Sequence, residues 1–209
     1  MLKECLAIPH ISTGDMLRES IRRGTAVGSS VVGAMQAGSL VPDQVVNDLV
    51  EERLCQPDAK DGFILDGYPR TRAQAEHLCR WLSSKGIGEV VIHLAVDYNI
   101  IIARLTGRRQ CPRCGTLYNI GSKPPKAAGL CDLDGEKLVI RDDDREEVIR
   151  ERLDEYDRQT RPVLQFYRES GRPLIEVDGS TDSPKVISDK ICETLCEILE
   201  CDDCPKDRC

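Results

Sequence analysis

Hydrophobic and polar positions along the 209-residue chain fall into short apolar runs separated by longer amphipathic stretches. That rhythm predicts an α/β protein in which helices join the strands of a parallel sheet. Phe63-Ile64-Leu65, Val90 to Val96 and Leu174 to Val177 are short, largely apolar and bounded by turn or polar residues, so each reads as a buried strand. Ile8 to Ile11 is a weaker fourth. Thr13 is placed to cap a helix running through Met16, Leu17 and Ile21. Pro42 occupies a favoured first helical position ahead of Val45, Val46, Leu49 and Val50. From about Arg145 to Tyr167 a stripe of Val148, Ile149, Leu153 and Tyr156 predicts a helix, which Pro162 should bend or restart.

One segment breaks the rhythm. Residues 110–140 have no long periodic run and are rich in Gly, Pro, Lys and Cys, so they read as a small inserted module without a core of its own. The expected organisation is a core over residues 1–109, including helices at about 12–41. It continues with the inserted module at 110–140, core again at 141–200, and a Cys-rich tail at 201–209. No internal repeat is present.

Composition narrows the class. A chain with 40% hydrophobic and 31% charged residues is expected to be globular. Its net charge of -7 repels nucleic acid and anionic membranes, so an anionic small substrate would have to be held by arginines gathered locally. No run approaches the ~18 to 20 apolar residues of a membrane span, and the opening residues lack a signal peptide's apolar centre, so the expected compartment is the cytoplasm. Eleven cysteines are many for such a protein, and the spacing of Cys111, Cys114 and Cys131 points to reduced thiolates and a metal.

In Cys111-Pro-Arg-Cys114 two sulfurs form a knuckle facing one ion, and Cys131-Asp-Leu-Asp134 offers a second pair in which an aspartate replaces the fourth cysteine. Four filled positions predict a structural zinc that staples the module; the spacing leaves iron open. The stretch Gly62-Phe-Ile-Leu-Asp66-Gly67-Tyr68-Pro69-Arg70-Thr71 runs an apolar strand into an aspartate at the sheet edge, where open α/β folds bind ligands. Asp66 suits a magnesium ion and its water shell beside nucleotide phosphate. Gly67 lets backbone approach a ligand, Pro69 stiffens the turn, and Arg70 offers a planar fork to phosphate. His10, His77 and His93 are expected to stand alone. Cys192 and Cys196, with Cys201, Cys204 and Cys209, are expected to form an exposed terminal set rather than a second metal or redox site.

The strings ISTGDMLR, LDGYPRT followed by Gln74, TGRRQCPRCG and RDDDREEVIRERLDEY resemble, in order, the adenylate kinase family of nucleoside monophosphate kinases with the long zinc-binding lid. The resemblance extends to about Leu199. It implies a P-loop-NTPase-like parallel sheet flanked by helices, with residues 110–140 as the lid. On the AMP side it implies contacts from Thr13, Arg18, Ser39, Leu40, Val41, Gly67, Tyr68, Pro69 and Arg70, with Gln74 reading the adenine edge. On the ATP side it implies Arg104, Arg108, Leu117, Tyr118 and Thr181. Arg141 and Arg152 would touch AMP and, with Arg70 and Arg108, clamp the phosphoryl group. Asp142 and Asp143 would pair with arginines when the lid closes. The implied reaction moves the terminal phosphate of MgATP reversibly to AMP, giving two ADP, in a monomeric enzyme with ATP, AMP and ADP as its partners.

One part of the family pattern does not occur in these residues. The opening strand and its G-x-x-x-x-G-K-[ST] loop, whose amides and lysine cradle ATP phosphates, would precede Met1. The expected sheet therefore lacks its first strand, with its neighbours facing each other across a gap, and turnover by these residues alone is expected to be crippled. A start codon placed too late is the favoured explanation; a true fragment that binds AMP and zinc without catalysis is the alternative. A pyrimidine monophosphate kinase is the enzymatic rival.

Overall fold

The computed structural model describes residues 2–180 and 183–199. In chain order the elements are α1 (Leu2–Leu6), β1 (His10–Ser12), α2 (Thr13–Arg22), α3 (Ala26–Ala37), α4 (Asp43–Leu54) and β2 (Ile64–Asp66). There follow α5 (Arg72–Lys85), β3 (Val91–Ala95), α6 (Tyr98–Thr106), β4 (Arg108–Gln110) and β5 (Leu117–Asn119). The last are α7 (Glu146–Glu155), α8 (Arg161–Glu169), β6 (Leu174–Asp178) and α9 (Pro184–Leu199). Chain contacts divide the molecule into two compact units. The first comprises the described parts of Met1–Val32, Val41–Ala95 and Tyr156–Cys209, and the second joins Gly33–Leu40 to Val96–Glu155.

The first unit carries the parallel strands. β1 pairs with β2 in the register His10↔Ile64 to Ser12↔Asp66, and β3 pairs with β6 from Val91↔Leu174 to Ala95↔Asp178. The two pairs are separate two-stranded sheets. Because side chains alternate across a strand, the β3–β6 pair builds a cluster on each face. Ile175 and Val177 pack with Ile187, Ile191 and Leu195 of α9, joined by Leu2, Leu6, Val90 and Ile92. Val91 sits against the other cluster, Ala75, Cys79, Val163 and Tyr167 from α5 and α8. At the carboxyl end of β3, Leu94 is exposed.

Local chemistry sets the helix ends. Ser12, not Thr13, caps α2 by accepting from the Asp15 amide, which leaves the Thr13 hydroxyl for another partner. Pro42 is the cap position of α4 and Asp43 its first helical residue. Helix α5 starts on Thr71, whose side chain accepts from the Gln74 amide, and stops at Gly86 in the left-handed conformation (φ 66). Between α7 and α8 the chain widens into a π turn over Tyr156–Thr160. The cause is Pro162: it has no N–H to close the turn before it, so the predicted restart comes through a wider loop of backbone.

The terminal cysteines differ from expectation. Cys192 is buried on α9 with its Sγ 3.2 Å from Cys5 Sγ of α1, and Cys5 and Cys196 are disulfide-bonded. Cys201, Cys204 and Cys209 lie outside the described residues. The histidines do not stand alone either. His10 pairs with Asp66 at 3.2 Å and His77 with Glu51 at 2.6 Å, while His93 lies 3.0 Å from the Tyr156 hydroxyl and 3.4 Å from Glu176.

In the second unit, β4 and β5 form an antiparallel ribbon from Arg108↔Asn119 to Gln110↔Leu117. Its small core is Cys111, Tyr118, Cys131 and Leu138, with two cysteines doing the work of larger apolar residues. Among the described residues no helix of the chain is long and apolar enough to cross a membrane.

Two glycines of α3 have opposite surroundings. A Cβ on Gly28 would sit 2.2 Å from the Ser20 carbonyl oxygen, whereas one on Gly33 would meet nothing within 4 Å. Gly28→Ala is expected to cost about 1–3 kcal/mol through forced displacement of α2. Gly33→Ala should instead stabilise by about 0.5–1 kcal/mol through helix propensity. Denaturant midpoints of the two variants check both signs.

Candidate active site

The carboxyl ends of β1 and β2 gather the first group of candidate residues. Strand β2 ends at Asp66, and Gly67 then adopts a positive φ of 75, which turns the chain back toward β1. A side chain there would be crowded as well as strained, since a Cβ would stand 2.9 Å from Arg70 Nη2 and 3.1 Å from Thr13 Oγ1. Thr13, freed from capping, donates its hydroxyl to the Gly67 carbonyl at 3.0 Å. Arg70 Nε donates to the same carbonyl at 2.9 Å, which fixes the guanidinium over the turn. The Tyr68–Pro69 peptide is cis. Tyr68 is buried, its hydroxyl donates to Asn47 Oδ1 at 2.6 Å, and burial lifts its ionisation above the usual phenol range.

Gln74 closes this group. It is 2% exposed, with Oε1 accepting from the Arg70 amide at 2.7 Å and Nε2 donating to Asp43 Oδ1 at 2.8 Å. The other Asp43 oxygen accepts from Thr71 Oγ1 at 2.9 Å. From the far side, Thr160 Oγ1 donates to the Arg70 carbonyl at 2.9 Å. Arg18 lies on α2 with its guanidinium folded back onto Asp15 at 2.6 Å, an exposed pair that an incoming phosphate can exchange at little cost. Val41 is buried ahead of α4. Asp66 is largely exposed, with His10 as its neighbour.

The remaining arginines lie in the second unit, where Arg108 and Arg152 have carboxylate partners. Arg108 forms a two-pronged pair with Asp144, Nε to Oδ2 at 2.8 Å and Nη2 to Oδ1. Asp144 has a fully buried side chain, and its partner supplies the charge that makes this burial tolerable. Arg152 Nη1 reaches the Asp143 carbonyl at 3.1 Å and its carboxylate at 3.4 Å. Arg141 Nε donates to Gln110 Oε1 at 2.7 Å. Arg104 is exposed on α6, and its carbonyl accepts from Asn119 Nδ2 at 2.8 Å, which ties α6 to β5. Ser39 and Leu40 follow α3, where the Ser39 amide closes the helix on the Ala34 carbonyl at 3.0 Å. Leu117 is exposed, while Tyr118 turns into the small core with its hydroxyl 3.5 Å from Cys131 Sγ. Contact of Tyr118 with a nucleotide would therefore fall to its backbone. Thr181 lies outside the described residues.

The same unit holds the cysteine group. Donor atoms of Cys111, Cys114, Cys131 and Asp134 all lie within 4.8 Å of one another. Cys111 Sγ is 3.4 Å from both Asp134 oxygens, and Cys114 Sγ is 3.5 Å from Cys131 Sγ. Ligands at ~2.3 Å from one tetrahedral ion stand about 3.7 Å apart, close to the Cys111–Asp134 and Cys114–Cys131 separations, and the group as a whole lies within 4.8 Å. Hydrogen bonding from Cys131, aided by the Glu136 amide, draws the Asp134 carboxyl down to about 2, keeping it an anionic donor. Burial pushes the Cys111 thiol up to about 11, while the Thr116 hydroxyl and amide lower that of Cys114.

Three residues escaped the sequence reading. Asp43 and Thr71 brace Gln74, and Asp144, next to the Asp142 and Asp143 named for arginine pairing, is the carboxylate on Arg108. Asp43 left one usable signal, its place directly after a helix-starting proline. Nothing in the sequence links it to a glutamine in another helix.

Comparison with known proteins gives one family. The adenylate kinase family model matches residues 1–172. An adenylate kinase of Moorella thermoacetica is 50% identical over 187 residues, covering 89% of this chain and 86% of that protein. One from Thermosipho melanesiensis is 47% identical over 90% of this chain and 88% of its own length. One from Listeria monocytogenes is 46% identical over 87% and 85%.

Proposed function

The chain belongs to the adenylate kinase family, and on that premise we propose that it transfers the terminal phosphate of MgATP reversibly to AMP, producing two ADP. The observation that carries the reading is the hydrogen-bonded group at the ends of β1 and β2, where Thr13, Gly67, Arg70 and Gln74 join a phosphate-matching guanidinium to a base-matching amide. Tyr68 and Pro69 hold the turn between them. Arg18 supplies a second cation for the AMP phosphate, and Ser39, Leu40 and Val41 supply backbone contacts to its base and ribose.

Phosphoryl transfer asks little covalent chemistry of a protein; it needs two polyanions positioned and their charge neutralised. In this reading Arg104 and Arg108, with Leu117, Tyr118 and Thr181, take ATP, while Arg70, Arg108, Arg141 and Arg152 balance charge on the phosphoryl group in transit. Magnesium accompanies the ATP phosphates, and Asp66, exposed at the strand end, would hold its water shell. Residues 110–140 act as the lid, stapled by a structural zinc on Cys111, Cys114, Cys131 and Asp134. The same reading makes the protein a cytoplasmic monomer.

Purified protein should pass phosphate from MgATP to AMP in preference to CMP and UMP. Faster transfer to CMP or UMP would contradict the adenine assignment.

Metal analysis should find about one zinc per chain. A strong chelator or Cys131→Ser should remove it and lower the melting temperature, because a module without a core relies on its ion. Iron in its place, or a chelator-insensitive melt, would overturn the zinc staple.

A further inference from the structure

A carboxamide rotated by half a turn keeps its shape but reverses its hydrogen-bonding pattern. At Gln74 the surroundings choose between the two orientations. The carboxylate of Asp43, 2.8 Å from Nε2, only accepts, and the Arg70 amide, 2.7 Å from Oε1, only donates. Turning the side chain over would set oxygen against oxygen and N–H against N–H. Burial of Gln74 keeps water from relieving either clash. Asp43 is itself held, because Thr71 Oγ1 donates to its other oxygen at 2.9 Å while accepting from the Gln74 amide at 3.1 Å.

The amide carries two N–H bonds and two lone pairs, of which Asp43 and Arg70 use one each. One donor and one acceptor remain, in a fixed order. Adenine presents a donating 6-amino group beside an accepting N1, which match Oε1 and Nε2. A 6-oxo purine presents the reverse, an accepting oxygen beside a donating N1–H. Against a locked amide it meets like with like at both positions.

The structure assigns Asp43 as a positioning residue that fixes the facing of the Gln74 amide and thereby selects a 6-amino over a 6-oxo purine monophosphate. This rests on the proposed reading of Gln74 as the base reader. Removing the lock changes the choice between bases, whereas removing a negative charge from the site changes affinity for both nucleotides alike.

The test is calorimetric affinity of the full chain for AMP and for IMP, in the unaltered protein, Asp43→Asn, Asp43→Ser and Gln74→Ala, with melting curves alongside. Asparagine and serine can both donate and accept, so either removes the clash at position 43 and leaves the Arg70 amide alone to hold the facing. The AMP-over-IMP preference should shrink about tenfold or more in both, chiefly through tighter IMP binding. Serine provides the second variant should asparagine not fold. An unchanged preference in folded Asp43 variants, with preference lost in Gln74→Ala, would overturn the role of Asp43 alone. An unchanged preference in Gln74→Ala would show that Gln74 does not read the base, and would overturn both readings.

Discussion

A strand that turns into a helix leaves backbone N–H groups without ladder or helix partners, and how residues 66–74 meet that requirement determines the first half of the site. The Arg70 amide is satisfied by Gln74, and the Gln74 amide by Thr71. Asp43, from another helix, binds the two side chains that do this. A helix start and a ligand-facing turn are thus one hydrogen-bonded structure. Positive φ at Gly67 brings the turn close enough for Thr13 and Arg70 to share its carbonyl. Arg70 is therefore fixed over the turn by the carbonyl it binds.

The second unit solves a different problem with similar means. Its ribbon module has too few apolar side chains to hold itself, and two of its four core residues are cysteines. Three sulfurs and one carboxylate gathered within 4.8 Å in that module are a group that could hold an ion. Nearby, the cost of burying Asp144 is met by Arg108 in a two-pronged pair. A buried pair of this kind contributes little net stability but holds the guanidinium in one orientation.

Features that rest on neighbours in sequence were legible in the sequence. All four expected strands fall within one or two residues of their expected places, because short apolar runs bounded by turn residues have few other uses. The cysteine knuckle and the aspartate-glycine turn were legible for the same reason. The π turn before Pro162 was legible only as an interruption. Features resting on distant residues were not. Thr13 reads as a cap until β2 supplies Gly67 as a competing partner, and Ser12 then takes the capping role. RDDDREE contains three equivalent aspartates on paper, and only packing selects Asp144 for burial. The Cys5 and Cys192 sulfurs meet because α1 lies on α9, which no local pattern announces.

The most direct test of the account is an AMP titration of the isotope-labelled chain followed by NMR. The account predicts that the first and largest shifts fall on the Gly67 and Arg70 amides, the Gln74 side-chain amide and the Arg18 guanidinium. Saturating shifts confined to other residues, with those four signals unmoved, would contradict it.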